Sequence, residues 1–152
     1  MEIKNINKSI NTGKNKKLIQ EINEFGRLIN ELKKKKISAK IINLINLDIT
    51  NINSFIGLDK DLLKLLRKVQ YRILKLIKKE LNLVTKNFYR NKWLAMGMAI
   101  FGVPFGVVLG GRTGNMAFLG LGIPIGIAIG IVIGSTKDKK AFKEGRQLDL
   151  TS

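Results

Sequence analysis

Asp59 and Asp61 form a close acidic pair, the kind of arrangement that can hold a divalent cation or share general acid and base work. Both chemistries usually recruit histidine or cysteine, and the 152-residue chain has neither. Their absence excludes a disulfide framework, a thiolate nucleophile, an imidazole base and a His/Cys zinc site. An enzyme would have to run on carboxylates, Lys, Tyr or Ser alone. The two aspartates stand at the start of an apolar periodic run, where they suit the positive end of a helix dipole, and that is the role expected of them. No catalytic, metal-binding or cofactor-binding residue is assigned, and the protein is expected not to be an enzyme.

Glycine offers a second candidate chemistry. Glycine-rich loops that cradle phosphate need a following Gly-Lys-Ser/Thr and a βαβ setting, and this chain supplies neither. Its glycines instead form an internal repeat: Gly102-Val-Pro104-Phe-Gly106-Val-Val-Leu-Gly110 matches Gly122-Ile-Pro124-Ile-Gly126-Ile-Ala-Ile-Gly130 at an offset of 20, and the second copy continues to Gly134. Glycine at every fourth position makes a helix face without side chains, so another helix backbone can approach closely. These seven glycines are assigned to helix packing, either within one hairpin or outward between copies of the chain. Pro104 and Pro124 each remove a backbone donor, freeing the carbonyls of Ile100 and Gly120, so a kink is expected at matching depth in each helix.

The elements that carry these glycines are apolar. Between Trp93 and Gly134 the only charged side chain is Arg112. The segments 93–109 and 116–134 would extend about 26 and 28 Å as helices, close to the hydrocarbon thickness of a bilayer. The short link Gly110 to Asn115 folds them back as a transmembrane helical hairpin. Ten cations flank the hairpin, Lys78, Lys79, Lys86, Arg90 and Lys92 before it and Lys137, Lys139, Lys140, Lys143 and Arg146 after it. Only Arg112 lies at the tip, where a solvated loop residue is expected, and the bias places both termini in the cytoplasm. Tyr89, Arg90, Lys92, Trp93, Lys137, Lys139 and Lys140 are the expected anchors at the membrane interface.

These segments resemble the glycine-zipper group of small two-span bacterial membrane proteins, and Asp138-Lys-Lys-Ala141 with Glu144-Gly-Arg-Gln-Leu148 looks like the ending of such chains. The resemblance covers about residues 93–150. It implies membrane residence and close helix packing, and it implies no defined activity; the bacterial inner membrane is the expected location. The hairpin also looks superficially like the proteolipid subunit of rotary ATPases. That family carries its ion on a membrane carboxylate, and no Asp or Glu occurs here between Glu80 and Asp138.

The amino-terminal part is basic and periodic. Residues 1–13 are polar, expected to be flexible, and lack the apolar run of a secretory signal, so no cleavage is expected. In residues 14–92, the cytoplasmic helical domain, three apolar stripes predict helices. They are Leu18, Ile22, Phe25, Ile29, Leu32; then Ile42, Ile45, Ile49, Ile52, Ile56, ended by Gly57; then Leu62, Leu66, Val69, Ile73, Leu76. The second is weakened by β-branched residues and Asn. The third meets no Gly or Pro before residue 90, leaving it free to run on into the apolar segment. Either an antiparallel bundle or an intermolecular coiled coil would bury these stripes.

Residues 1–92 carry a net charge of +14. Such charge suits anionic headgroups beside a membrane. Its aromatic residues are too sparse for a base-stacking platform, and nucleic acid is not the expected partner. The expected protein is therefore all-α: a basic helical bundle or coiled coil, then a transmembrane hairpin with glycine stripes, then a basic cytoplasmic tail over 135–152. The function expected is self-association in the membrane as a homo-oligomer, with a pore as one form of it and the amino-terminal helices as a sensing or oligomerising module. The alternative is a non-conducting tether whose basic helices hold a protein partner or anionic lipid.

Overall fold

The first helix begins where a side chain can cap it. In the computed structural model, which describes residues 2–7 and 15–150 apart from the side chains of Met116 and Leu119, Asn15 accepts the backbone N–H of Leu18 at 3.3 Å and opens α1 (Lys16–Lys33). Leu18, Ile22, Phe25, Ile29 and Leu32 are all buried, with Leu28 added between them. Fully burying a side chain of this size stabilises by about 1.5 to 3 kcal/mol.

The second helix, α2 (Ala39–Asn53), buries Ile42, Ile45, Ile49 and Ile52. It stops short of the expected end. Ser54 closes it, with its hydroxyl donating to the Thr50 carbonyl at 3.0 Å, and Ile56 lies outside the helix, 98% exposed. The third helix, α3 (Asp59–Leu81), carries Asp59 and Asp61 in its first turn and Lys78 and Lys79 in its last, matching charge to dipole at both ends. Its buried side runs Leu62, Leu66, Val69, Ile73 and then Ile77, with Leu76 only half-buried. Both α1 and α2 pack against α3.

Two features of this unit depart from expectation. The helix does not run on into the apolar segment: Asn82 takes a left-handed conformation at φ 55°, and Leu83 and Val84 then turn inward and are buried. The start of the chain is not loose over residues 2–7. Ile3 and Ile6 join the core, and the extended backbone is held by two side chains of α2. Asn46 accepts the N–H of Lys4 at 2.7 Å and donates to the carbonyl of Glu2 at 3.0 Å; Asn53 accepts the N–H of Asn7 at 2.8 Å and donates to the carbonyl of Asn5 at 3.2 Å. The asparagines that weakened the helix reading of α2 are thus its docking groups. Residues 8–13, also expected to be flexible, lie outside the described residues, as does 14.

The chain divides into two units, Met1–Val84 with Leu148–Ser152 and Thr85–Gln147. Strands β1 (Val84–Thr85) and β2 (Gln147–Leu148) form a two-stranded sheet, and Leu148 is fully buried in the core of the first unit. The second unit is a helical hairpin. Its first limb runs from Phe88 to Thr113 as α4 (Phe88–Gly97), a π-helical turn (Met98–Gly102) and α5 (Val103–Thr113). Gly114, at φ 67°, reverses the chain, and a 3₁₀ turn (Met116–Phe118) leads into α6 (Leu119–Lys143). Both limbs are longer than the apolar windows. The helices continue through the flanking Lys and Arg residues, and what was expected as a basic tail from 135 is helical as far as Lys143.

Candidate functional site

The hairpin is built the opposite way round from a soluble helix pair. Among the described residues from 97 to 134, those that are buried are Gly97, Gly102, Gly106, Gly110, Gly122, Gly126, Gly130 and Gly134. The large apolar side chains point away from the partner helix: Ile100 is 50% exposed, Val108 59% and Val132 67%. The helices meet backbone to backbone. A Cβ placed on Gly126 would stand 2.5 Å from the Gly102 nitrogen and 2.6 Å from the Gly97 carbonyl oxygen. One on Gly122 would stand 2.5 Å from the Gly106 nitrogen, and one on Gly134 2.5 Å from Arg90 Cα. On Gly130 it would run into the Trp93 carbonyl. Nothing at these positions can yield except the helices themselves, because each obstacle is backbone.

Gly97 was not singled out from the sequence, since it lies five residues before Gly102 and so breaks the four-residue rhythm. The π turn removes the mismatch. Its Val103 N–H bonds to the Met98 carbonyl, five residues back, so one extra residue is taken up within that turn and Gly97 and Gly102 reach the same face. Pro104 follows directly, at the first turn of α5. The repeat-matched Pro124 lies inside the continuous helix α6 with no such turn around it. The two prolines, read as equivalent from the repeat, are therefore accommodated differently.

At the other end of the hairpin from its tip, Asp138 is buried and both its carboxylate oxygens are engaged: Oδ1 accepts the Tyr89 N–H at 3.1 Å and Oδ2 the Arg90 N–H at 2.8 Å. These are second- and third-position amides of α4, which Asn87 leaves uncapped because it is left-handed and its side chain makes no cap bond. A carboxylate from α6 thus serves as the cap of α4. Sequence reasoning passed over it; the available signal was a lone acid among lysines just past an apolar run.

The expected interface anchors gather around this end. Trp93 is half-buried with the Lys137 ammonium 5.6 Å from its ring centroid. Lys140 stands 4.0 Å from Glu144, Lys92 and Lys139 are exposed, and Tyr89 packs edge-on to Phe88 at 5.2 Å between ring centroids. Arg146 hydrogen bonds Glu144, which, with a lesser contribution from Tyr89, holds its guanidinium above its ordinary pKa. Arg112 is exposed in the last turn of α5.

No protein-family model, curated protein or solved structure matches the chain.

In the first unit, Asp59 accepts from Asn15 Nδ2 at 3.4 Å and Asp61 pairs with Lys64 at 3.5 Å. Two inter-helix pairs were not foreseen: Arg67 Nε with Glu21 at 2.9 Å, and Arg72 Nε with the buried Asp48 at 3.0 Å. Among the described residues no group of three or more metal-ligating acids, His or Cys comes together.

Proposed function

We propose that the protein is a two-span membrane protein whose glycine-faced hairpin anchors its basic three-helix unit at a membrane surface, acting by attachment and assembly. One observation carries this reading: both hairpin helices are long and apolar enough to cross a bilayer, yet only 22% of the most apolar stretch of each is buried. A soluble protein would bury such helices in its core. Here the side chains that water rejects face outward and the glycines face inward, which is favourable where the surroundings are hydrocarbon.

Pairing within one chain is the use of the glycines that the geometry favours, because Gly122, Gly126, Gly130 and Gly134 all meet the first limb of their own hairpin. Backbone-to-backbone contact leaves no lumen between the two limbs. A conducting assembly would need several hairpins joined through their outward Ile, Val and Phe side chains, so the non-conducting tether is the better-supported form of this function. Placement of the termini in the cytoplasm, and of the hairpin in a bacterial inner membrane, is part of the same proposal and rests on the cation bias and on the resemblance.

The test is extraction of expressing cells' membranes with alkaline carbonate. The protein is expected to stay with the pelleted bilayer; recovery in the supernatant would overturn the reading. Reconstituted vesicles then separate the two forms: retention of a trapped dye fits the tether, and its release assigns the function to a multi-copy pore.

A further inference from the structure

Close to Asp138, a cavity of ≈ 360 Å³ opens on the second unit, lined in part by Lys86, Ser135, Lys139, Phe142, Lys143 and Gln147. Its volume falls in the range of small-molecule sites. Three of these groups are lysines, and none of the three forms an ion pair among the described residues. The neighbouring cations differ: Lys137 lies over the Trp93 ring, while Lys140 and Arg146 are beside Glu144. Asp138 also lines the cavity, but its two oxygens are turned to the Tyr89 and Arg90 amides, so the helix end is already capped and the acid is not left facing the lysines alone. Phe142, 70% exposed, adds an apolar ring at the rim.

We propose that this cavity binds the phosphate headgroup of an anionic phospholipid. Lys86, Lys139 and Lys143 supply the charge and Ser135 and Gln147 the neutral hydrogen-bond donors. The cavity stands where the charged ends of both limbs meet the apolar windows, which is the level of a bilayer's phosphates if the hairpin spans. The proposal thus rests on the membrane reading, and it commits to lipid because the lysines that line the cavity flank the apolar windows at that level. A lysine beside an anionic membrane surface favours it by about fivefold, so the three together are expected to give a preference of about tenfold or more over a zwitterionic lipid.

The full-length protein, purified in a non-ionic detergent, is titrated with phosphatidylglycerol or phosphatidylcholine, and bound lipid is counted by native mass spectrometry. The wild type is expected to retain phosphatidylglycerol at least about tenfold better. The combined Lys86→Gln, Lys139→Gln, Lys143→Gln variant is expected to lose most of that preference, and the corresponding Arg variant to keep it. A control that removes the same charge from exposed positions of α3, Lys60→Gln, Lys68→Gln, Lys75→Gln, is expected to behave as wild type. The proposal is overturned if the first variant keeps its preference, if the control loses as much, or if millimolar inorganic phosphate displaces the lipid. Carbonate extraction of the wild type, run alongside, separates the two ideas: a membrane-retained protein without lipid preference sinks this inference alone, while an extracted protein sinks both.

Discussion

The carboxylate of Asp138 accepts the backbone N–H of Arg90 across the hairpin at 2.8 Å, joining residues 48 positions apart. A second bond to Tyr89 makes the grip bidentate. It aligns the two helices along their axes, which glycine faces alone do poorly, because a surface without side chains offers little resistance to sliding. A buried carboxylate aimed at helix amides is also matched by the positive end of the α4 dipole.

Replacing Asp138 with Ala should lower the stability of the hairpin by about 1 to 2 kcal/mol, the usual loss for a helix cap. Asp138→Asn should cost less, since an amide oxygen can still accept one bond. Unfolding in graded SDS with helical circular dichroism as readout would show this; equal midpoints for wild type and Asp138→Ala would mean the cap carries no weight.

Glycine positions should divide sharply by what their faces meet. Gly126→Ala puts a methyl against the Gly102 backbone and should destabilise the helix pair by about 1 to 3 kcal/mol, as overpacking does. Gly120→Ala and Gly111→Ala meet nothing within 4 Å and should be neutral or slightly stabilising. The same SDS titration checks all three. Similar losses at Gly126 and Gly120 would remove the basis for the backbone contact.

The docked start of the chain makes a separate demand on α2. Asn46→Ala removes an acceptor from Lys4 and a donor to Glu2, and should release residues 2–7. Hydrogen exchange at the Lys4 amide is expected to quicken by about tenfold or more, given roughly 1 kcal/mol or more per lost bond. Asn51→Ala, on the same helix but exposed, should leave that amide protected.

Topology is open to a clean labelling experiment because the chain has no native cysteine. With Arg112→Cys and Lys139→Cys introduced singly, a membrane-impermeant maleimide applied to intact cells should modify the first and spare the second. Labelling of Lys139→Cys and protection of Arg112→Cys would invert the proposed orientation; labelling of both would count against a spanning hairpin.

Periodicity and charge, read without coordinates, determine a good deal here. The stripe of α1, that of α3 as far as Ile73, the acids at the start of α3, the apolar pair and a reversal within 110–115 are all local properties, set by which side chains recur on one helix face and by what a glycine-rich link permits. The α2 stripe was legible only as far as Ile52, since Ile56 continues the spacing while the backbone has already left the helix.

Tertiary structure decided the rest, and the reason in each case is that the interaction joins residues distant in sequence. Asn46 and Asn53 look like poor helix formers until the extended segment lies beside them. Their separation of two helical turns, about 10 Å, then matches the three extended residues from Lys4 to Asn7. Gly97 looks out of step until a π turn realigns it with Gly102. Asp138 looks like one acid in a basic tail until the end of α4 is brought against it. Sequence alone determined that this chain carries two apolar helices rich in evenly spaced glycine, because periodicity is written in neighbouring residues. Which backbone those glycines meet, and which carboxylate holds the two helices in register, depends on complementary surfaces that only the folded chain brings together.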